Sequence, residues 1–491
     1  MAYLLDLGDR QIAAELAGPP VPTEGGVLLP PGRVAVLHGM PDAQVYRHGW
    51  NSWSPSGWRE MAAPPLRIAS PERRLTADDT VWDDERRHHS SAVMALAADD
   101  GNILLLGALG LDVPRLSADR DSLTAWAEQQ RAPWFCAYGP ELDVFARYAQ
   151  LLGDHLGRSV NKAGQVWCSW YAYGERIDEQ VLHGDLEGLD GLPFDVVQLD
   201  DGWERKVGDW EPNTKFPSGM ADLADRIGRT GRTAGLWLAP FIALPESDLV
   251  RDRPHLLLHD DKGALVPAGH NWGSHYYALD MTVPEAQDHL RTVISTVVDW
   301  GFRYLKLDFV YAAAVAAARH QPDIGREQAY RDALLLIREA AGDGVYLLGC
   351  GAPVLPSIGV CDGIRIGPDV APIWSNYATD DPSDATAENA VVASLNRLWL
   401  RGVIELDPDV VYFRGRNSLL TAPQRRLLTD LAHACGFKGT SDPPGWLDST
   451  ERAALQRFLT DDVSVRQLSR YRYELSGRTV DFTAAAQRGA I

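Results

Sequence analysis

Two kinds of hydrophobic patterning divide the chain. Up to about residue 160, apolar positions come in short alternating segments such as GRVAVLHG, NILLLGALG and DSLTAWAE, separated by Pro, Gly and Asp turns. This period-two pattern belongs to half-buried strands and predicts a β-sandwich domain over residues 1–160. From VWCSWYAYG at 166 onward, short apolar runs alternate with longer helical patterns, which argues repeated βα units and a parallel sheet. The strand candidates are 166–172, 194–200, 233–240, 275–280, 302–309, 345–349, 362–367 and 402–406. Between them lie segments with helical spacing, such as PEAQDHLRTVISTVVDW and REQAYRDALLLIREAAG. Eight strands separated by helices over roughly 250 residues predict an α/β fold, a (β/α)₈ TIM barrel over 161–425. An open doubly wound sheet is the alternative, but no GxGxxG follows the first strand to make a dinucleotide crevice. A last stretch, ending in VSVRQLSRYRYELSGRTVDFTA, predicts a small C-terminal β domain over 426–491.

Composition narrows the partners. The 491 residues exceed what one core usually serves, and 47 Lys and Arg against 67 Asp and Glu give a formal charge of −20. Such a surface repels phosphate backbones and anionic lipid, so nucleic acid and membrane partners are not expected. The opening MAYLLDLGDRQIAAELAG has no basic start leading into a long apolar core, and no run of about 18 apolar residues occurs. Cys136, Cys168, Cys350, Cys361 and Cys435 are scattered and show no CxxC pairing, which suits reduced thiols in a cytoplasmic protein. Trp is as frequent as Tyr, 16 each, and several Trp stand beside Gly, Asp or Ser, as platforms for sugar faces do.

In a barrel of this kind the working residues sit at the carboxyl ends of the strands. Here those ends carry Trp170 and Tyr171; Asp200 and Asp201; Trp237; Asp280; Lys306 and Asp308; Cys350; and Arg365 followed by Asp369. A lone strand-end Asp is as often a helix cap, which accounts for Asp280 before TVPEAQ. It does not account for YLKLDF, where alternation puts Lys306 and Asp308 on one face and Leu305, Leu307 and Phe309 on the other. An ammonium inside a strand needs an anion or a wet cavity. Several carboxylates, one Lys, one Arg and tryptophans around one cavity fit glycoside hydrolysis, which needs two carboxyl groups, hydroxyl contacts and an aromatic face. A metal site is the competitor, but Lys306 and Arg365 would oppose a cation. His88 and His89, in DDERRHHSS, read as a solvated loop, so no metal is expected.

Six ordered blocks, GWNSWSP (49–55), VWCSWY (166–171), VVQLDDGWERKVGDW (196–210), GLWLAPF (235–241), YLKLDF (304–309) and LLGCGAPVLPSIGVCDGIRIGPDVAP (347–372), resemble the successive motifs of family 36 glycoside hydrolases, the α-galactosidase or melibiase type. The resemblance covers nearly the whole chain. It implies a retaining enzyme with no metal or organic cofactor and a small carbohydrate as its substrate, releasing terminal α-D-galactose. Asp308 corresponds to the nucleophile and Asp369 to the general acid/base. A retaining pair stands roughly 5 to 5.5 Å apart, against roughly 6.5 to 9.5 Å for an inverting one. Lys306 beside Asp308 favours its ionised form. Asp200 and Asp201 match the acidic pair that grips the 4-OH and 6-OH of the sugar, which Lys306 also reaches. Trp170, Tyr171 and Trp237 form pocket walls, Cys350 lines the anomeric side, and Arg365 points toward the 2-OH and the acid/base. Trp53, from the sandwich, matches a tryptophan that in some relatives reaches over the barrel mouth. GLWLAPFIALPES lacks the Glu-Pro-Glu element of larger members and resembles a shorter, monomer-like branch, which leaves the oligomeric state open. Specificity for α-N-acetylgalactosaminides or β-L-arabinopyranosides, transglycosylation, and a catalytically silent sugar-binding protein are the alternatives.

Overall fold

The computed structural model describes residues 1–68, 70–77, 84–98, 100–159 and 161–487. The first region forms two antiparallel sheets, one of six strands and one of seven. Alternation works as read: in strand Gln11–Glu15, Ile12 and Ala14 are buried and their neighbours exposed. Side chains of both sheets, Val36 and Leu123 from one, Leu96, Leu104 and Leu106 from the other, join in a single apolar cluster. Burying those faces against each other is what holds two sheets together. His88 and His89 are not in a loop: His88–Ser91 is the edge strand of the six-stranded sheet. The charged run ends just before them, and their rings meet the Met61 carbonyl at 3.2 Å and the Asp84 carboxylate at 3.1 Å.

Helix Glu141–Leu156 leads into eight parallel strands. These are β1 (Gln165–Cys168), β2 (Val196–Leu199), β3 (Thr233–Leu238), β4 (Tyr304–Leu307), β5 (Tyr346–Gly349), β6 (Gly363–Arg365), β7 (Glu405–Asp407) and β8 (Lys438–Thr440). Each pairs with the next through β7, β8 pairs with β1, and a parallel bridge joins Val411, in the segment after β7, to Thr440 of β8.

Three readings from the sequence are corrected. The segment 275–280 is not a barrel strand: Ser274–Ala278 pairs antiparallel with Pro267–Asn271 and Ile242–Ala243. Alternation does not distinguish the two settings, but the two-residue turn at Trp272 and Gly273, both at positive φ (49° and 73°), marks a hairpin. Second, the barrel extends past residue 425, because β8 begins at Lys438. Its preceding helix, Ala422–Cys435, opens with a capping box between Thr421 and Gln424 and closes on Gly436 at φ 80°. Such a start contributes about 1 kcal/mol. The strand after it is three residues long and holds Lys, Gly and Thr, too short and polar to read as an apolar run. Third, the first strand stops at Cys168, and Trp170–Tyr173 is a helical turn. The C-terminal appendage is then helix Ser449–Thr460 and the meander Val465–Ser469, Arg472–Leu475 and Arg478–Asp481. Residues 488–491 of that region lie outside the described residues.

The barrel interior follows from strand parity. Val166, Val196, Tyr304, Tyr346 and Leu348 join Ala163 and Phe437 in an apolar cluster that plugs the amino end, with the Tyr304 and Tyr346 rings stacked at 5.1 Å. Gly235 and Gly363 leave room for those rings: a Cβ on Gly235 would meet Tyr304 at 3.0 Å, and one on Gly363 the Tyr346 oxygen at 2.2 Å. Two residues further along the same faces stand Cys168, Gln198, Trp237, Lys306, Arg365 and Asp407, and beyond them Asp200, Asp308, Cys350 and Asp409. The opposite faces, including Leu199, Leu236, Leu305, Leu307, Leu347 and Ile364, are fully buried against the surrounding helices.

Candidate active site

The carboxyl ends of β2, β3 and β4 assemble one half of the site. Register places Trp237 beside Lys306 across β3 and β4. Lys306 Nζ donates to Asp200 Oδ2 at 2.9 Å and lies 3.8 Å from Asp308 Oδ2. Asp200 Oδ2 also accepts from Gln198 Nε2 at 2.6 Å and Cys168 Sγ at 3.4 Å. Lys306 is buried, and although burial works against its charge, Asp200 and Asp308 hold it protonated well above the ordinary lysine range. Removing one partner of such a pair costs about 3–5 kcal/mol, because the other charge is stranded.

Asp308 N donates to the Leu238 carbonyl at 2.7 Å, so the β4 ladder reaches one residue past Leu307. Its carboxylate accepts from Trp237 Nε1 and from Phe309 N, each at 2.9 Å. That second bond is possible because Phe309 turns to φ 52°. Alternation therefore ends at Asp308: the Phe309 ring does not follow Leu305 and Leu307 outward but packs on Trp53 at 5.0 Å and Trp272 at 5.1 Å. Burial raises the Asp308 carboxyl above its ordinary pKa, Asp369 adds to this, and Lys306 and Trp237 oppose it. The expected help from Lys306 is present, but burial outweighs it.

The other half comes from β6, β7 and the turn after β1. Arg365 uses all three nitrogens on carboxylates: Nε on Asp407 at 3.1 Å, Nη1 on Asp369 at 3.2 Å and Nη2 on Asp409 at 2.9 Å. Asp409 also accepts from Val370 N at 2.8 Å and from the Tyr171 hydroxyl. The side chain of Asp369 is 36% exposed, that of Asp308 9%. One carboxylate is thus open to solvent and the other enclosed.

Asp201 accepts from Trp272 Nε1 at 3.0 Å. Its Oδ1 is buried and receives no N–H or hydroxyl donor, and the carboxyl of Glu204 lies within hydrogen-bond reach of the group. Burial, then Glu204, push the Asp201 carboxyl up to about 9, and Glu204 is itself raised by burial.

Trp53 is delivered by the sandwich. Arg397, fully buried, donates to the carbonyls of Asn51 and Ser52 at 2.7 Å, Ser54 at 2.9 Å and Ile366 at 2.9 Å, pinning the loop to the barrel. Asn51 Oδ1 accepts from Trp53 N at 2.8 Å, and Ser52 N donates to the Ala352 carbonyl at 2.9 Å. The Trp53 ring then covers Gly351, where any Cβ would come within 2.8 Å of it. Gly351 follows Cys350, which is fully buried, with its N–H on the Leu307 carbonyl at 2.8 Å. Trp170 stands half-buried at the end of β1, tied to none of these carboxylates by a hydrogen bond among the described residues.

The structure therefore brings together Trp53, Tyr171, Asp200, Asp201, Trp237, Lys306, Asp308, Cys350, Arg365 and Asp369. The sequence reading missed Gln198, Glu204, Trp272, Asp407 and Asp409. Asp280 is a structural staple, accepting from the Thr282 backbone at 3.0 Å and His320 N at 2.7 Å. No group of three or more His, Cys, Asp and Glu among the described residues could hold a metal ion.

Residues 164–339 match the melibiase family model. Among curated proteins, α-galactosidase AgaA of Geobacillus stearothermophilus is 31% identical over 181 residues, 35% of this chain and 24% of that protein. A type blood α-D-galactosamine galactosaminidase of Flavonifractor plautii is 31% identical over 180 residues, 32% of this chain and 16% of that protein. These matches thus span well under half of the curated relatives. Over the whole fold, the α-galactosidase TtGalA of Thermus thermophilus, solved with p-nitrophenyl α-D-galactopyranoside, superposes with a TM-score of 0.92 at 42% identity, covering 99% of this chain and 100% of that one. The chain belongs to the melibiase family. The fold extends to larger family 36 enzymes: the AgaA structure superposes with a TM-score of 0.60 at 16% identity, over 91% of this chain and 65% of that one. Within the melibiase family this chain therefore presents the barrel with one sandwich before it and a short β meander after it.

Proposed function

We propose that this chain is a retaining exo-α-galactosidase that releases terminal non-reducing α-D-galactose by double displacement. The observation that carries the reading is the contrast between the two carboxylates. Asp308 is enclosed, oriented by two N–H donors and flanked by a buried ammonium, as a nucleophile must be held. Asp369 is open to solvent at the end of Arg365, where a leaving group and a water can both reach it. In the first step an Asp308 oxygen attacks the anomeric carbon from the face opposite the leaving group, while protonated Asp369 gives its proton to the departing oxygen. A covalent β-galactosyl ester results. In the second step the Asp369 carboxylate takes a proton from water, whose oxygen attacks the same carbon and frees Asp308 with the original anomeric configuration restored.

Asp200 and Lys306 offer charged hydrogen-bond partners for sugar hydroxyls, and the Asp201 carboxyl a neutral one. Trp237, Trp272, Phe309 and Trp53, in successive ring contacts of 6.4, 5.1 and 5.0 Å, give a continuous aromatic wall. A wall completed by the chain's own sandwich supports a closed pocket for one terminal sugar. TtGalA, the similar solved enzyme, binds p-nitrophenyl α-D-galactopyranoside and stachyose in its structures. All five cysteines are buried and unpaired, which suits action in the reducing cytoplasm. Among the described residues no helix is long and apolar enough to cross a membrane.

The test is a panel of p-nitrophenyl glycosides. The α-D-galactopyranoside should be turned over with the highest kcat/KM. Preferential turnover of the α-N-acetylgalactosaminide or the β-L-arabinopyranoside would move the specificity within the same site, and tight galactose binding without turnover of any substrate would make this a binding protein.

A further inference from the structure

We infer that Asp409 is a positioning residue for the proposed reaction, one that sets the proton affinity of Asp369 by neutralising Arg365 and by fixing the backbone beside the acid/base. This inference rests on the galactosidase reading above. A general acid paired directly with an arginine is at a disadvantage, because the cation favours the ionised carboxylate and the acid must start protonated. The structure resolves that conflict by sharing the guanidinium. Arg365 meets Asp369 at 3.2 Å, but Asp407 at 3.1 Å and Asp409 at 2.9 Å lie on the same nitrogen fork. One positive charge thus faces three potential negative ones. Asp407 and Asp409 thus share a guanidinium that would otherwise be committed to Asp369 alone.

The placement of Asp409 is specific. It follows Pro408 at φ 77°, a left-handed conformation that a residue other than glycine adopts at a cost, and its N–H returns to Asp407 Oδ1 at 2.7 Å. The turn directs its buried carboxylate back into the barrel mouth, where Val370 N, immediately after Asp369, donates to it at 2.8 Å. Tyr171, from the turn after β1, donates its hydroxyl to the same oxygen. Asp409 therefore holds three separate elements around the acid/base. The charged and titratable groups facing it are Arg365 and Asp369 from β6 and its loop, Asp407 from its own strand, Lys306 from β4, Cys168 from β1, Tyr171, and Tyr412. Burial moves Asp409 itself up to about 6, with Arg365 opposing and Asp369 adding.

The experiment measures kcat/KM against pH for wild type, Asp409→Asn and Tyr171→Phe, with two substrates: p-nitrophenyl α-galactoside, whose leaving group needs little protonation, and melibiose, whose sugar leaving group needs a full proton. Asp409→Asn keeps the shape but removes the charge, so the alkaline limb should move to lower pH by about one unit. At neutral pH the loss should be larger for melibiose than for the p-nitrophenyl substrate. Tyr171→Phe, which removes one donor and leaves the Asp409 charge less screened, should move the limb the opposite way, to higher pH, by less. A limb that stays in place, with equal losses for both substrates at every pH, would reduce Asp409 to a packing role and overturn the inference. If Asp409→Asn fails to fold by circular dichroism, Tyr171→Phe decides: an unmoved or lowered limb overturns the inference and a raised one supports it. Absence of wild-type activity on both substrates would instead contradict the galactosidase reading.

Discussion

Asp308→Gly will lower turnover of p-nitrophenyl α-galactoside by at least about 10⁴-fold, and sodium azide will restore release of p-nitrophenol. The space left by the carboxylate lies between the Trp237 indole N–H, the Phe309 N–H and Lys306, all of which remain to receive an anion. Azide attacks the anomeric carbon where Asp308 did, the C–O bond to p-nitrophenol breaks, and the product is β-galactosyl azide. The variant should remain folded, because the Asp308 backbone bond to Leu238 does not depend on the side chain. Removing Asp308 also leaves Lys306 with Asp200 as its close partner, an ion pair that stays intact at 2.9 Å. Mass spectrometry of the product distinguishes rescue at this site from an indirect effect: free galactose alone, with full activity in the variant, would remove Asp308 from the role of nucleophile.

The second large effect sets function against stability. Asp201→Asn should reduce kcat/KM by about 10²-fold, because it removes a carboxyl that pairs with the sugar hydroxyls, yet raise the melting temperature. The carboxyl is pushed up to about 9 by burial and by Glu204, from 3.8 in the unfolded chain. The folded protein therefore holds a proton that the unfolded chain releases, and across that window stability falls as pH rises. At pH 4 the two states differ little in this group; toward pH 9 the full cost is present. An asparagine can accept from Trp272 and donate to Glu204 with no charge to bury. The gain should be near zero at pH 4 and reach about 1–3 °C by pH 8. Differential scanning calorimetry across that range checks it, and a variant destabilised equally at all pH values would show that the two carboxyls do not share a proton.

Much of this was legible in the sequence because parity is. YLKLDF placed Lys306 and Asp308 on one face, and the structure puts both in the mouth of the barrel, 3.8 Å apart. The same rule, carried through ELDPD, places Glu405, Asp407 and Asp409 on one face as well. The apolar run GVIEL ends at Leu406, yet Pro408 and the left-handed turn after it are what return Asp409 to the site. Phe309 shows the converse: parity ceases where backbone dihedrals leave the strand, and nothing in the side-chain order announces φ 52°. The segment 275–280 reads as a barrel strand because YYA alternates equally well in either pairing, and only the Trp-Gly turn before it marks the hairpin. β8 escaped notice for lack of apolar residues, although the helix before it carries a readable capping box. The roles of Asp308 and Asp369 came from the family's motifs, since two aspartates on different strands have no spacing that identifies them as a pair.

Double displacement at Asp308 with Asp369 as acid/base fixes the anomeric configuration of the first product. Proton NMR during rapid hydrolysis of p-nitrophenyl α-D-galactopyranoside should show α-galactose appearing first and β-galactose growing only later by mutarotation. If β-galactose appears first, water has attacked the substrate directly, no galactosyl ester forms on Asp308, and the enzyme inverts.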